Sequence, residues 1–145
     1  MSHSSGEPYR GSCLCGQVSY EIDGFESKAA HCHCSMCRKF HGAAFTTFGS
    51  VRKDRFRWTS GEHLLNAYRA PNGTVRKFCS NCGSSMVFVP AAGNGGFVEI
   101  ALGTLDSDLD FGPDAHIFVG SKANWDVLCD NLPKYAGDRG SERVD

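Results

Sequence analysis

Cysteine is the residue type whose spacing in this chain points most directly to chemistry. The chain has 145 residues and eight cysteines, and seven of these fall into three short clusters. The clusters are Cys13-Leu14-Cys15, Cys32-His33-Cys34-Ser35-Met36-Cys37 and Cys79-Ser80-Asn81-Cys82. In a reducing compartment, clustered cysteines more often bind metal or act in catalysis than form disulfides. The clustering therefore predicts metal binding, whereas thiols that only fill a core would be scattered.

Each cluster can direct two or more sulfur atoms at one ion. In an extended C-x-C segment, the side chains of Cys13 and Cys15 lie on the same face of the strand. In a C-x-x-C turn the chain reverses between the sulfurs, and Gly83 allows the backbone to curl so that amide N–H groups point at sulfur. Structural zinc usually has four protein ligands, and catalytic zinc has three with one open position. Seven sulfurs therefore suit one site of each kind.

The spacing alone leaves the division of the sulfurs open. The first and last clusters could share one ion while the middle cluster holds another. A four-sulfur site could instead combine Cys32 and Cys34 with one of the pairs, and a histidine could complete the middle cluster. The candidate histidines are His31, His33 and His41. Zinc is favoured over iron because thiolate tetrahedra with short C-x-C spacing suit it, and because the clusters lack ferredoxin spacing.

Short strands are predicted to position these clusters. Val18, Tyr20 and Ile22 alternate with polar residues, which indicates a strand with one buried face. Further strands are predicted at residues 44–48, 56–59, 64–68, 75–78, 85–89, 97–102 and 116–119. Helix is predicted over Ser35–His41, with a turn or two over residues 124–132. The expected fold class is therefore mainly β with little helix.

The length predicts one domain, which we expect over residues 10–135, with flexible termini at 1–9 and 136–145. A net charge of −1 without a basic stripe argues against a nucleic-acid partner. No stretch approaches the roughly 20 apolar residues of a membrane span, and the polar N-terminus lacks a signal-peptide core. We therefore predict a cytoplasmic protein without a membrane partner. Nothing in the sequence indicates the oligomeric state.

Cys129 stands apart from the clusters, in an apolar setting that predicts a buried, inert thiol.

Five blocks of sequence carry a resemblance to a known family. The blocks are Gly11-Ser12-Cys13-Leu14-Cys15-Gly16; Cys32-His33-Cys34-Ser35-Met36-Cys37-Arg38-Lys39 with Gly42-Ala43-Ala44-Phe45; Arg76-Lys77-Phe78-Cys79-Ser80-Asn81-Cys82-Gly83-Ser84; Gly103-Thr104-Leu105-Asp106; and His116-Ile117-Phe118 followed by Ser121-Lys122 and Trp125. In this order they span about residues 10–135. At these positions the chain resembles the glutathione-dependent formaldehyde-activating family, whose domain also occurs in centromere protein V.

The resemblance implies a β-tent-like fold of antiparallel sheets stapled by zinc. It implies a structural zinc on the first and last clusters and a catalytic zinc on the middle one, so two zinc ions per chain. The implied structural ligands are Cys13, Cys15, Cys79 and Cys82, and the implied catalytic ligands are Cys32, Cys34 and Cys37. Members of the family join formaldehyde to glutathione, giving S-hydroxymethylglutathione, and are classed as carbon–sulfur lyases. The implied partners are therefore a small-molecule thiol and an aldehyde.

A zinc centre with three thiolate ligands suits sulfur chemistry. A thiol at such a centre loses its proton and remains a nucleophile toward an aldehyde carbon, and the reverse reaction cleaves the carbon–sulfur bond. Arg38 and Lys39 follow the middle cluster and could bind a carboxylate of a glutathione-like thiol, or could be solvated charges. For His116 and Lys122 we expect structural roles. We predict a carbon–sulfur lyase; the rival hypotheses are a noncatalytic zinc-binding interaction module and a thiol redox sensor.

Overall fold

The computed structural model describes residues 6–26, 29–91 and 95–145. The chain divides into two compact units, which we number 1 and 2 and describe separately. Unit 1 comprises Met1–Ser27 and Gly49–Phe111, and unit 2 comprises Lys28–Phe48 and Gly112–Asp145. In the part of the chain that the structure describes, no helix has the length and apolar character needed to cross a membrane. The single domain over 10–135 with flexible ends stays a prediction, and residues 1–5 lie outside the described ranges.

Strands dominate the described residues, which confirms the predicted fold class. The strands are β1 (Tyr9–Ser12), β2 (Ser19–Ile22), β3 (Ala29–Cys32), β4 (Thr46–Arg52), β5 (Phe56–Ser60), β6 (Leu65–Arg69), β7 (Val75–Cys79), β8 (Ser85–Val89), β9 (Phe97–Ala101) and β10 (His116–Ile117). One α-helix, α1 (Ser35–His41), is present in these ranges. Short 3₁₀ turns cover Lys53–Arg55, Glu62–Leu64, Leu102–Thr104 and Val119–Ser121.

Unit 1 contains two sets of hydrogen-bonded strands. One is a three-stranded antiparallel sheet in the order β1-β2-β5. The other consists of residues 49–52 of β4 followed by four whole strands, in the order β4-β9-β8-β7-β6. In β2 the predicted alternation places Tyr20 and Ile22 in the core and leaves the residues between them partly exposed. The Tyr20 ring packs against Phe56 and Trp58, and its hydroxyl lies 2.6 Å from the hydroxyl of Thr104. The buried alternate residues of these strands thus form one core for the unit.

Unit 2 contains β3, the first residues of β4, α1 and β10. β10 pairs with β3 in a parallel register, with His116 opposite His31 and Ile117 opposite Cys32. The described residues therefore combine this parallel ladder with the antiparallel ladders of unit 1. The core of the unit consists of small and sulfur-bearing side chains together with one larger aliphatic: Ala30, Cys32, Cys37, Ala115 and Ile117.

Helix α1 has the predicted bounds, and its ends explain why. Cys34 is the N-cap, with its sulfur accepting from the amide N–H of Cys37, and Gly42 ends the helix in the left-handed conformation with φ 59°. The helix predicted over residues 124–132 is absent, because the carbonyls of Ala123 and Asp126 bind the Lys122 ammonium group instead. Pro133 follows, and a proline disfavours helix at the residue before it.

The buried core of unit 1 generates a stability prediction. Ile100 on β9 is fully buried, so Ile100→Ala should lower the free energy of unfolding by about 2–5 kcal/mol through lost burial and the cavity left behind. Val127 is 77% exposed, so Val127→Ala should change the free energy by about 0.5 kcal/mol or less. Urea unfolding of both variants measures the difference, and equal losses would contradict this description of the core.

Candidate metal centres

Four cysteines of unit 1 converge on one point, and we name them the four-cysteine cluster. They are Cys13, Cys15, Cys79 and Cys82, and their sulfur atoms all lie within 4.8 Å of one another. Cys13 Sγ lies 3.5 Å from Cys15 Sγ, which lies 3.9 Å from Cys79 Sγ. A tetrahedron with zinc–sulfur bonds of about 2.3 Å has edges of about 3.8 Å. The sulfurs therefore have the spacing of metal ligands, and they are far too distant for disulfide bonds.

Two similar turns present these sulfurs. Each turn ends at a glycine in the left-handed region, Gly16 and Gly83, both with φ 80°. The Gly16 amide donates to the Cys13 carbonyl at 3.0 Å, and the Gly83 amide donates to the Cys79 carbonyl at 2.7 Å. Because a side chain at positive φ is strained, glycine suits both positions. The curled backbone also lets the Val18 amide donate to Cys13 Sγ at 3.3 Å.

The surroundings favour the deprotonated form in two of these thiols. Hydrogen bonding with the side chain of Ser84 is the main cause that lowers the pKa of Cys82 to about 5. Hydrogen bonding with Asn81 lowers the pKa of Cys15, whereas burial raises the pKa of Cys79. Thiolate is the form in which cysteine binds metal. The cluster therefore combines two thiols whose pKa is lowered with a buried thiol whose pKa is raised.

Three cysteines of unit 2 form a second group, the three-cysteine cluster. Cys32 ends β3, Cys34 caps α1 and Cys37 lies in the first turn of that helix. Their sulfur atoms lie within 4.8 Å of one another. The Cys37 amide donates to Cys34 Sγ at 3.3 Å. The strand end and the helix start thus bring the three sulfurs together over six residues of chain.

The three-cysteine cluster could hold a cation. Hydrogen bonds with Cys34 and Cys37, followed by burial, raise the pKa of Cys32. Three adjacent sulfurs cannot all ionise unless a positive charge balances them, and a soft divalent metal supplies such a charge. Among the described residues, no histidine nitrogen or carboxylate oxygen joins this group. The histidines considered as a fourth ligand, His31, His33 and His41, are therefore not brought to it.

One of those histidines, His33, instead belongs to a hydrogen-bonded series that we name the histidine chain, consisting of His33, His116 and Asp130. His33 Nε2 lies 2.8 Å from His116 Nδ1, and His116 Nε2 lies 2.8 Å from Asp130 Oδ2. His33 is 0% exposed and His116 is 2% exposed. The expectation of a buried, hydrogen-bonded His116 is confirmed, but its carboxylate partner was not predicted.

The histidine chain is neutral at its inner end, His33, and charged at its outer end, Asp130. Burial, followed by the charge of His116, lowers the pKa of His33 to about 4. The hydrogen bond from His116 lowers the pKa of Asp130 to about 2. An uncharged buried imidazole avoids the desolvation cost of a buried cation. At neutral pH, His33 is therefore a neutral hydrogen-bonding group and Asp130 is a carboxylate.

Comparison with known proteins identifies the family. The sequence profile described as glutathione-dependent formaldehyde-activating enzyme matches residues 8–121. The chain belongs to the glutathione-dependent formaldehyde-activating enzyme family. The match includes all seven clustered cysteines and His116, whereas Asp130 lies beyond it. The family pattern therefore carries no signal that could have revealed Asp130 as the partner of His116.

Two relatives extend this finding. An uncharacterised lyase of Schizosaccharomyces pombe is 30% identical over 80 residues, which cover 55% of this chain and 56% of the relative. The chain thus spans about half the length of that curated relative. A crystal structure of a Rhodobacter sphaeroides protein matches 70% of this chain and 91% of its own, with 23% identity and a TM-score of 0.59. The second likeness shows a shared fold.

Other residues singled out in this family member occupy varied surroundings. Arg38 and Lys39 lie on α1; Arg38 is partly buried, and its Nε has no hydrogen-bond partner among the described atoms, whereas Lys39 is exposed. The Lys122 ammonium donates to two backbone carbonyls, which agrees with the structural role expected for it.

Cys129 is exposed, so the prediction of a buried thiol was wrong. Its segment forms turns at the surface rather than a helix with a buried face.

The lowered pKa of Asp130 predicts how stability depends on pH. A carboxyl whose pKa falls on folding stabilises the protein above its ordinary pKa of 3.8, and this contribution is lost as pH falls through about 2. The difference in unfolding free energy between the wild type and Asp130→Asn should therefore be constant near neutral pH and shrink below about pH 4. The effect should be small, because Asp130 is 45% exposed. Urea unfolding at a series of pH values measures it; a difference that persists at pH 2 would contradict the assignment.

Proposed function

We propose that this protein is a zinc-dependent lyase-type enzyme that forms or cleaves an aldehyde–thiol adduct resembling S-hydroxymethylglutathione. Membership of the formaldehyde-activating family and the lyase name of the Schizosaccharomyces pombe relative support the reaction class. The observation that carries the proposal is the three-cysteine cluster, which gathers three sulfurs without a fourth protein ligand among the described residues. A metal bound by three protein ligands keeps one position for a substrate.

The two clusters divide structural and catalytic work in this proposal. Four thiolates complete a tetrahedron, so the four-cysteine cluster would hold a closed structural zinc. The three-cysteine cluster would hold the catalytic zinc, giving two zinc ions per chain. Reduced thiols are needed at both clusters, so we place the protein in the cytoplasm. The small-molecule partners are then one thiol and one aldehyde.

The reaction adds a thiol across a carbonyl bond. The thiol sulfur forms a bond to the aldehyde carbon, the carbonyl π bond breaks, and the proton released by the thiol ends on the former carbonyl oxygen. Zinc bound at the three-cysteine cluster would lower the pKa of a substrate thiol or polarise an aldehyde. The chain contributes fixed sulfur ligands from β3 and α1, and the short helix keeps their spacing. The reverse sequence cleaves the carbon–sulfur bond and returns thiol and aldehyde.

Arg38 and Lys39 are the proposed contacts for the thiol substrate. Both follow Cys37 directly on α1, so they start from the same helix that carries the sulfur ligand. Arg38 suits a carboxylate better, since its guanidinium can form two parallel hydrogen bonds. A thiol with carboxylate groups, as glutathione has, fits this arrangement. Lys39 would add a second positive charge nearby.

Zinc content tests the division of the sulfurs. Elemental analysis of protein purified without added metal or chelator should give two zinc ions per chain, and Cys32→Ser should remain folded with one. Cys79→Ser should lose its fold, because it opens the four-sulfur site at a fully buried position. Cys129→Ser is the matched control and should keep both ions, since Cys129 is exposed and outside the clusters. One zinc that survives Cys32→Ser would contradict the catalytic site.

Adduct formation tests the activity. Exchange NMR with ¹³C-labelled formaldehyde and glutathione should show that the wild type speeds the interconversion of adduct and free thiol above the spontaneous rate. Cys32→Ser should lower kcat/KM at least about a hundredfold, since a missing ligand removes the metal and its charge stabilisation. Arg38→Gln should raise KM about tenfold with a smaller effect on kcat, because it removes a charged contact that binding and reaction share. A wild type that leaves the exchange rate unchanged for glutathione and for other carboxylated thiols would favour a noncatalytic module.

A further inference from the structure

The strand that ends in the three-cysteine cluster carries a different chemistry on its other face. In an extended segment, alternate side chains point to opposite faces. Cys32 and Cys34 bring their sulfurs together, whereas His31 and His33 both stack near His116, with ring centroids 4.7 Å and 5.0 Å from it. The ring of Phe45 packs against the same two histidines. His33 thus stands between two sulfur ligands in sequence while its side chain points away from them.

Three separate bonds hold His33 in place. Its backbone N–H donates to the carbonyl of Ile117 at 2.9 Å, and its carbonyl accepts from the Ser121 hydroxyl at 3.5 Å. Its Nε2 bonds His116, which in turn bonds Asp130. Each partner lies on β10 or on the segment that follows it. The peptide units on either side of His33 lead directly to Cys32 and Cys34, so these bonds act on the backbone that carries both sulfurs.

The hydrogen bonds of the histidine chain also set the orientation of both rings. A carboxylate can only accept, so His116 donates from Nε2 to Asp130. The other ring nitrogen of His116, Nδ1, is then the atom that bonds His33 Nε2. His33 Nδ1 is buried without a hydrogen-bond partner among the described atoms. An apolar side chain would fill this space without that unpaired atom, but it could not bond His116.

We propose that His116 and Asp130 are positioning residues that act through His33 to fix the sulfurs of Cys32 and Cys34 around the metal. The inference rests on the proposed function, since it requires a metal at the three-cysteine cluster. Groups outside a metal's direct ligands commonly set the orientation of those ligands, and their loss commonly weakens metal binding by tenfold or more. Here the connection runs through the backbone on either side of His33. The exposed Asp130 carboxylate is the outer end of this connection, in the segment beyond the family match.

Cadmium-loaded protein provides the test, because ¹¹³Cd NMR separates a four-sulfur site from a three-sulfur site and cadmium favours thiolates. The variants are Asp130→Ala and His116→Phe, which break the chain at its outer and middle links. His116→Asn is the conservative variant, since its amide oxygen can accept from His33 Nε2. Tyr135→Leu is the matched control: Tyr135 packs against the core of unit 2 without belonging to the histidine chain. The rate of metal transfer to a chromogenic chelator is measured for each cluster.

Asp130→Ala and His116→Phe should release metal from the three-cysteine cluster about tenfold faster than the wild type and shift its ¹¹³Cd resonance. The four-cysteine cluster should keep its resonance and its release rate in both, and His116→Asn should lie closer to the wild type. If His116→Phe does not fold, Asp130→Ala decides the question, because Asp130 is exposed.

Release from the three-cysteine cluster that matches the wild type, or that Tyr135→Leu accelerates equally, would overturn the inference. Equal acceleration at both clusters would overturn it too. A wild type without a three-sulfur resonance would instead refute the proposed function, so the two failures are distinguishable.

Discussion

Both units depend on one electrostatic constraint: sulfurs gathered within 4.8 Å of one another cannot all be thiolates unless a cation lies among them. The raised pKa of Cys32, caused first by its hydrogen bonds with Cys34 and Cys37, shows the constraint in unit 2. In unit 1 the same constraint applies to sulfurs from two separate turns, in which Cys15 and Cys79 are 64 residues apart in sequence. A metal bound there would remove the mutual repulsion of the thiolates and close a long loop. Under the proposed function, the metal centres would therefore also be folding elements.

Charge also decides which chemistry the two clusters can support. Four thiolates and Zn²⁺ carry a formal charge of −2 and leave no position open, so such a centre suits a structural role. Three thiolates and Zn²⁺ carry −1, which makes the metal a weak acid toward water and leaves one position for a better ligand. A thiol is such a ligand, because sulfur binds zinc well and ionises more easily than water. This difference supports the proposed choice of a thiol substrate over simple hydrolysis.

The sequence predicted those features that depend on local spacing. The cysteine clusters, the bounds of α1 and the alternation of β2 follow from short-range geometry, so residue order revealed them. The sequence did not predict β3, because nearly all of its residues are buried and they therefore lack the alternation of apolar and polar residues. The false helix over 124–132 arose because the pattern gave no sign that Lys122 would bind the local carbonyls. Asp130 meets His116 only through tertiary structure, because the two residues are 14 positions apart in the sequence.

The clustered cysteines and Asp130 lie in different parts of the sequence, and only the folded structure relates them. The seven cysteines lie inside the family match, and they specify where the sulfurs converge. Asp130 lies outside it, at an exposed position in an irregular segment. If metal retention at the three-cysteine cluster is set through His33, then that segment adjusts the centre without supplying a ligand to it. Ligand identity and centre rigidity are then encoded in separate parts of the chain, and substitutions in the second part can alter the rate of ligand exchange while the first part remains intact.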